Sequence, residues 1–283
     1  MMCVIGKNKL FLLFLLLFFC VYTFAFDVKV CTFNIRYDSG VDGINSWNNR
    51  KSLLVKFLNK SQNDIICLQE VLHHQQSYFL HELVEYEAVG VGRNDGKTRG
   101  EYAPIFIKKK KFEIVDKGTF WLSENPSVIG SKGWDADQPR IVTWVLIKVR
   151  KSGKTFLVAN THFDNIGKIA RLESANLIGK WVNSQPFPVI LTGDFNEGPQ
   201  SRAYSTIVNQ HHIWDCNKVA KSLSGVGYTF HSFNHLPQKQ RDKIDYVFVK
   251  NVKKVKRVEI PKEEAINGIF LSDHNPILTV LKL

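Results

Sequence analysis

The stretch PVILTGDFNEGP (188–199) runs from apolar residues straight into a carboxylate and an amide. A short run of branched apolar residues predicts a buried strand. That strand ends in Asp194 and Asn196, and residues two apart on an extended chain point to one face. Asp, Asn and Gly are also common turn residues, so in isolation the segment reads as a turn.

The same ending recurs along the chain. TFNIR ends in Asn34 and Arg36, IICLQE in Gln69 and Glu70, and VANTHFD in His162 and Asp164. DKIDYVFV opens its strand with Asp245, and SDHNPIL carries Asp273 and His274 just before the last one. Together, these strand ends predict a site assembled from several strands. Helical spacing predicts helices over 50–60, 73–83 and 169–183, the last with Ile169, Leu172, Leu177, Ile178 and Trp181 on its apolar side. Strand–helix–strand units mixed with hairpins predict an α/β or α+β sandwich.

Metal-assisted attack on a phosphoester suits this residue set. Glu70 and Asp273 offer hard oxygen ligands for Mg²⁺ or Mn²⁺, and Asn34 can add an amide oxygen. Zinc fits less well, because no Cys/His cluster has ligand spacing. Asp194 can deprotonate a water that Asn196 helps to hold, and His274 can donate to a phosphoryl oxygen while Asp245 fixes its tautomer. Arg36 and Arg140 can bind phosphate through planar forks.

FNIR, LQE, GEYAPIFI, NTHFD, TGDFN, KIDYVFV and SDHNP, in this order from Thr32 to Pro276, resemble the endonuclease/exonuclease/phosphatase superfamily that includes deoxyribonuclease I. The resemblance implies a four-layer αββα sandwich, two packed mixed β-sheets flanked by helices, with the site at one edge. It implies metal-site roles for Asn34, Glu70 and Asp273, and a water-activating and phosphate-orienting pair in Asp194 and Asn196. It pairs Glu101 with His162 and Asp245 with His274, and gives Arg36 a phosphate contact. Arg140 matches only by its position before a strand, and Asp164 has no assignment beyond a turn residue. GTFWLSENP, GWDADQPR and NSWNNR resemble a poorly characterised, often secreted branch, while GDFNEGPQSRAY is closer to the deadenylases.

The N-terminus is read separately. Lys7 and Lys9, an apolar core and Thr23-Phe24-Ala25 predict a secretory signal peptide over 1–25, leaving one catalytic domain at 26–283. An uncleaved membrane anchor is the alternative. No later apolar run is long enough to span a bilayer. Lys and Arg number 38 against 26 acidic residues, a net +12 that favours nucleic acid or an anionic membrane surface as partner. The expected function is therefore a secreted phosphodiesterase acting on nucleic acid. A phosphatase or lipid esterase and a noncatalytic binding module are the alternatives.

Cys31, Cys67 and Cys216 lie beyond residue 25, too few for a disulfide scaffold. Cys31 and Cys67 can bridge if their strands adjoin, but buried free thiols fit better. The lysines at 108–111 read as a solvated hairpin tip and 250–260 as a half-exposed strand. Trp47, Trp121 and Trp134 read as core rather than as stacking platforms.

Overall fold

The computed structural model describes residues 26–262 and 264–283, so the expected signal peptide lies outside the described residues. The first half contains β1 (Asp27–Asn34), α1 (Trp47–Ser61), β2 (Ile65–Gln69), α2 (His73–Glu82), β3 (Tyr86–Val89), β4 (Ile105–Lys108), β5 (Phe112–Trp121) and β6 (Ile141–Val149). The second half contains β7 (Thr155–His162), α3 (Lys168–Ser184), β8 (Val189–Asp194), α4 (Arg202–Ser205), β9 (Trp214–Asp215) and α5 (Cys216–Val219). β10 (Ser222–Gly225), β11 (Asp245–Lys250), β12 (Lys254–Ile260) and β13 (Ile277–Lys282) complete it.

These strands form a seven-stranded sheet, β10-β12-β13-β1-β2-β4-β3, and a six-stranded sheet, β5-β6-β7-β8-β11-β9. Each sheet is built around one βαβ unit: β1–α1–β2 in the first and β7–α3–β8 in the second, with the two strands of each unit parallel. Parallel neighbours end at the same edge, so both units deliver polar strand ends together.

Three apolar clusters hold the layers. Val28, Val30, Ile65, Cys67, Val158, Ile190 and Val247 fill the space between the sheets. Phe33, Leu54, Leu58, Ile66, Leu68 and Phe79 pack α1 and α2 on the seven-stranded sheet. Ala175, Ile178, Val182, Leu157 and Leu191 pack α3 on the other. The four-layer αββα sandwich expected from the sequence is the observed fold.

The apolar side expected for α3 needs correction. Ile169 is 56% exposed, and the buried stripe is Ala170, Ser174, Ala175, Ile178, Gly179 and Val182. Small residues bring neighbouring segments close to the helix: a Cβ on Gly179 would lie 2.1 Å from the His211 ring. Trp181 instead leans on Phe120 and Trp144 at the margin of this layer.

Cys31 and Cys67 are buried free thiols. Cys31 is opposite Ile66, one residue out of step with Cys67, so the two thiols point to opposite faces of the sheet. Trp47 and Trp121 are core, and Trp134 is half-buried. The 108–111 lysines turn the β4–β5 connection, where Lys111 bridges Asp64 at 2.6 Å.

Candidate active site

Strand periodicity builds the site. Along the inward faces, Val158-Asn160-His162, Ile190-Thr192-Asp194 and Val249-Val247-Asp245 each change from apolar or amide to ionisable at one edge of the sandwich. Val30-Thr32-Asn34 and Ile65-Cys67-Gln69 end in amides at the same edge of the facing sheet, with the carboxylate Glu70 next in sequence. Below the edge, Gln69 Nε2 donates to Asn160 Oδ1 (2.7 Å) and to Thr32 Oγ1 (3.0 Å). Asn160 Nδ2 donates back to the Leu68 carbonyl at 2.7 Å. This polar layer ties the two sheets together in register, although Gln69 Oε1 is buried without a hydrogen-bond partner among the described residues.

Backbone pairing sets His162 beside Asp194, and Asp194 beside Asp245, in one cross-strand row. Asn34 faces that row from the other sheet. Its Nδ2 donates to Asp194 Oδ2 (2.9 Å) and to Glu70 Oε1 (3.0 Å). Asp194 Oδ2 also lies 3.5 Å from His162 Nε2 and 3.8 Å from His274 Nε2, which makes this buried oxygen the centre of the cluster. The opposite side of the strand is crowded, since a Cβ on Gly193 would lie 2.2 Å from the Thr161 carbonyl.

His274 Nδ1 lies 2.8 Å from Asp245 Oδ2. Complete burial works against a charged imidazole. Asp245 outweighs it, helped by Asp194 and Asp273, and the pKa rises to about 10. His274 is therefore a cation at neutral pH with Nε2 turned toward Asp194. Asn196 adopts a left-handed backbone, φ 49°, which lets its amide N–H donate to Asp194 Oδ1 (2.9 Å). Its side-chain Nδ2 lies 3.1 Å from His162 Nε2 and donates to the Phe163 carbonyl at 3.0 Å.

Glu101 stands behind His162, with Oε2 3.6 Å from Nδ1, outside hydrogen-bond range. Burial works to raise its pKa, but His162 and the Arg93 guanidinium hold it near 2. Arg93 Nη1 donates to Glu101 Oε2 at 2.8 Å. Arg140 reaches the same cleft. Its Nε donates to Asp164 Oδ2 (3.3 Å) and its Nη2 to Asn165 Oδ1 (3.0 Å). Asp164 also accepts the backbone N–H groups of Gln138, Ile166 and Gly167, so it ties two loops together as well as holding Arg140. Arg93 Nε, Arg140 Nη1 and His162 Nδ1 are buried without a hydrogen-bond partner among the described residues.

Glu70 and Asp273 complete the other side. Glu70, at φ 61°, accepts the Tyr37 N–H at 3.0 Å. Burial and the nearby Glu70 charge raise the Asp273 pKa. Two nitrogens of the Arg36 fork, Nε and Nη2, are given to Asp42, at 3.2 and 3.0 Å, while the charges of Asp273 and Glu70 also act on the guanidinium. Asn34 Oδ1 accepts the Arg36 backbone N–H at 3.0 Å, which fixes the amide so that its Nδ2 braces Glu70 and Asp194.

Three contributors carry no local signal in the sequence. Arg50 is fully buried and donates to the carbonyls of Ile35, Arg36, Tyr37, Asn45 and Leu271, tying the loop after β1 to the segment before Asp273. Arg93 sits in a Gly-rich loop that reads only as a turn. Phe230 covers the His274 ring at 5.0 Å between centroids.

Two donor sets here fit a divalent cation. Asp194, Asp245 and His274 bring ligand atoms within 4.8 Å of one another. In that group His274 Nδ1 already faces Asp245, and a cation must displace its proton. Glu70 and Asp273 form the harder set, two carboxylates whose mutual repulsion a cation relieves.

A two-sheet sandwich with two histidine–carboxylate pairs and a carboxylate cluster at one edge defines a phosphoester hydrolase. The Endonuclease/Exonuclease/phosphatase family profile matches residues 31–274, and the chain belongs to this family, whose enzymes depend on divalent metal. An endonuclease/exonuclease/phosphatase structure from Bacteroides vulgatus is 46% identical, with TM-score 0.88, covering 91% of this chain and 99% of that one. A mannosyl-6-phosphatase from Bacteroides thetaiotaomicron is 34% identical, with TM-score 0.83, covering 90% of this chain and 99% of that one. The Ccr4 exoribonuclease subunit of Mycosarcoma maydis is 23% identical over 210 residues, which is 58% of this chain. The chain spans about a third of that relative's length, 31%.

Proposed function

We propose that this hydrolase removes a terminal phosphate from a phosphorylated sugar. The observation that carries the reading is the cluster beside His162, where Arg93 and Arg140, paired with Glu101 and Asp164, keep buried N–H groups unspent around a cavity of about 10 Å³. A phosphomonoester carries nearly two negative charges at neutral pH, and two guanidiniums beside a charged His274 suit it better than a diester. The mannosyl-6-phosphatase, similar over nearly the whole of both chains, supports the same class.

In this mechanism Asp194 takes a proton from a water that Asn196 helps to position. The water oxygen bonds to phosphorus and the bond from phosphorus to the sugar oxygen breaks. His274, held by Asp245, donates to a phosphoryl oxygen, while Arg140 and Arg93 hold the others. His162, backed by Glu101, serves the leaving oxygen, which ends protonated. Glu70, braced by Asn34, and Asp273 would hold Mg²⁺ or Mn²⁺, which would supply Lewis-acid charge neutralisation when bound. The N-terminal apolar run supports export of the protein.

Cleavage of nucleic acid is the second reading, favoured by the net +12 charge and the Ccr4 likeness. A panel of hexose 6-phosphates, inositol phosphates, sphingomyelin, RNA and plasmid DNA separates them, each with Mg²⁺, Mn²⁺ or chelator. Sugar phosphates are expected to turn over fastest. Faster cleavage of RNA or DNA would replace the phosphatase reading, and no turnover on any substrate would leave a binding module.

A further inference from the structure

The seven-stranded sheet has helical cover over only part of its outer face. α1 and α2 pack above β1, β2 and β4, and the apolar contact with them stops at Leu278 of β13. Beyond it, the outward row Ser222–Arg257–Val280–Lys29 crosses β10, β12, β13 and β1, and the row Lys254–Lys282–Asp27 crosses the last three. Lys29, Lys254 and Arg257 are exposed. Asp27 is bonded to Lys256 at 2.6 Å, and Arg257 stands 3.9 Å from Glu259. Among the described residues, no carboxylate bridges Lys29, Lys254 or Lys282.

Two ordinary explanations fall short. Lysine commonly guards an edge strand against pairing, which accounts for Lys254, beyond the reach of β10, but not for Arg257 or Lys29, which have paired strands on both sides. Solubility does not require like charges directly opposite each other, as Lys254 and Lys282 are, and such pairing costs stability. The chain also enters the fold in this row: the apolar run Leu10–Phe26 leads directly into Asp27.

We propose that this basic face is a docking surface for an anionic lipid bilayer. Its charge complements the headgroups, and it surrounds the point where the membrane-seeking segment joins the domain. The same geometry orients the enzyme. β1 runs from Asp27 at the basic row to Asn34 at the reaction centre, about 23 Å at the usual strand rise. The docked face is the outer side of the sheet, so β1 lies along the bilayer and the site opens sideways, at the far end of the strands from the basic row.

The test measures binding of residues 26–283 to vesicles of phosphatidylcholine, with and without phosphatidylserine. This span contains both sheets and every apolar cluster described, and the solved B. vulgatus protein matches over 99% of its own length. Binding is expected only with phosphatidylserine and is expected to weaken with salt. The K29Q/K254Q/R257Q/K282Q variant is expected to lose at least about tenfold in vesicle affinity, since each basic residue near such a surface is worth roughly fivefold. A K254R/K282R variant should bind as the parent does. All three proteins should hydrolyse a soluble phosphoester equally, which separates failure of this surface from failure of the catalytic reading. Equal affinity for both vesicle types, no loss in the glutamine variant, or retention on DNA or heparin without vesicle binding would each overturn the docking surface.

Discussion

Asn34 and Asp194 lie 160 residues apart in the chain, yet Asn34 Nδ2 donates to Asp194 Oδ2 at 2.9 Å across the gap between the sheets. The same nitrogen donates to Glu70. One amide thus keeps a carboxylate from each sheet in place and separates their charges. Asn34→Ala should lower kcat by about a hundredfold, the loss typical of a preorganised donor, with about 1–3 kcal/mol of stability lost as well. Asn34→Asp puts a third charge between two carboxylates and should be the worse enzyme of the two. Kinetics with denaturant melts check this, and near-parental kcat in Asn34→Asp would refute the brace.

Asp194 is the oxygen on which both histidines and Asn34 converge. Asp194→Asn preserves shape and loses the base, so turnover should fall by at least about a thousandfold while the melting temperature changes little. Asp245→Asn leaves His274 without its counter-charge and should cost about as much, by analogy with other buried carboxylate–histidine pairs. Substantial activity in Asp194→Asn would remove it from the water-activating role.

Much of this arrangement was legible in the sequence, for a physical reason. Strand side chains alternate, so a polar residue at the end of an inward-facing column must enter the gap between the sheets. That rule brings Asn34, His162, Asp194 and Asp245 together once the strands are recognised, and family resemblance supplies the strand order. It fails where side chains act across loops. Asp42 takes the Arg36 fork, Arg93 takes Glu101, and Arg50 reaches the Leu271 carbonyl 221 residues away. No period relates such partners. The α3 stripe failed differently, because close packing selects small residues, which a hydrophobicity pattern overlooks.

Arg50 makes a separate prediction. It gathers five carbonyl oxygens around one buried guanidinium, a geometry that the ammonium of lysine cannot reproduce. Burial lowers its pKa to about 10 despite Asp273 and Asp42 nearby. Arg50→Met should cost about 3–5 kcal/mol, because the carbonyls lose their donors in a dry site. Arg50→Lys should recover little of this. A chemical melt reads the cost, and a change below about 1 kcal/mol would show that the loops hold themselves.

Glu101 predicts a pH dependence of stability. Its pKa is near 2 in the folded protein, below the ordinary 4.5. The unfolded chain therefore binds this proton first as pH falls. The stabilisation is fully present above about pH 4.5 and is lost as pH falls through about 2. Its size is at most about 3 kcal/mol, from the shift in pKa. Glu101→Gln should flatten the stability–pH curve between these limits by up to one proton. Urea melts across this range measure it, and an unchanged slope would mean that Arg93 does not hold the carboxylate ionised.

Metal binding should be visible without any substrate. Glu70 and Asp273 crowd negative charge, and burial together with Glu70 already pushes Asp273 toward its neutral form. A divalent cation removes that repulsion, so it binds the folded protein in preference to the unfolded chain. Saturating Mg²⁺ or Mn²⁺ should then raise the melting temperature, by about 2.7 kcal/mol of stabilisation at a hundred times Kd. Chelator should reverse the rise. Glu70→Gln and Asp273→Asn should each be more stable than the parent without metal, because one of two repelling charges is gone, and each should gain less from added cation. Asp245→Asn should keep the cation response if Glu70 and Asp273 form the site. It should lose the response if Asp194, Asp245 and His274 hold the ion instead. Calorimetric melts of the three variants, with and without cation, decide between the two donor sets.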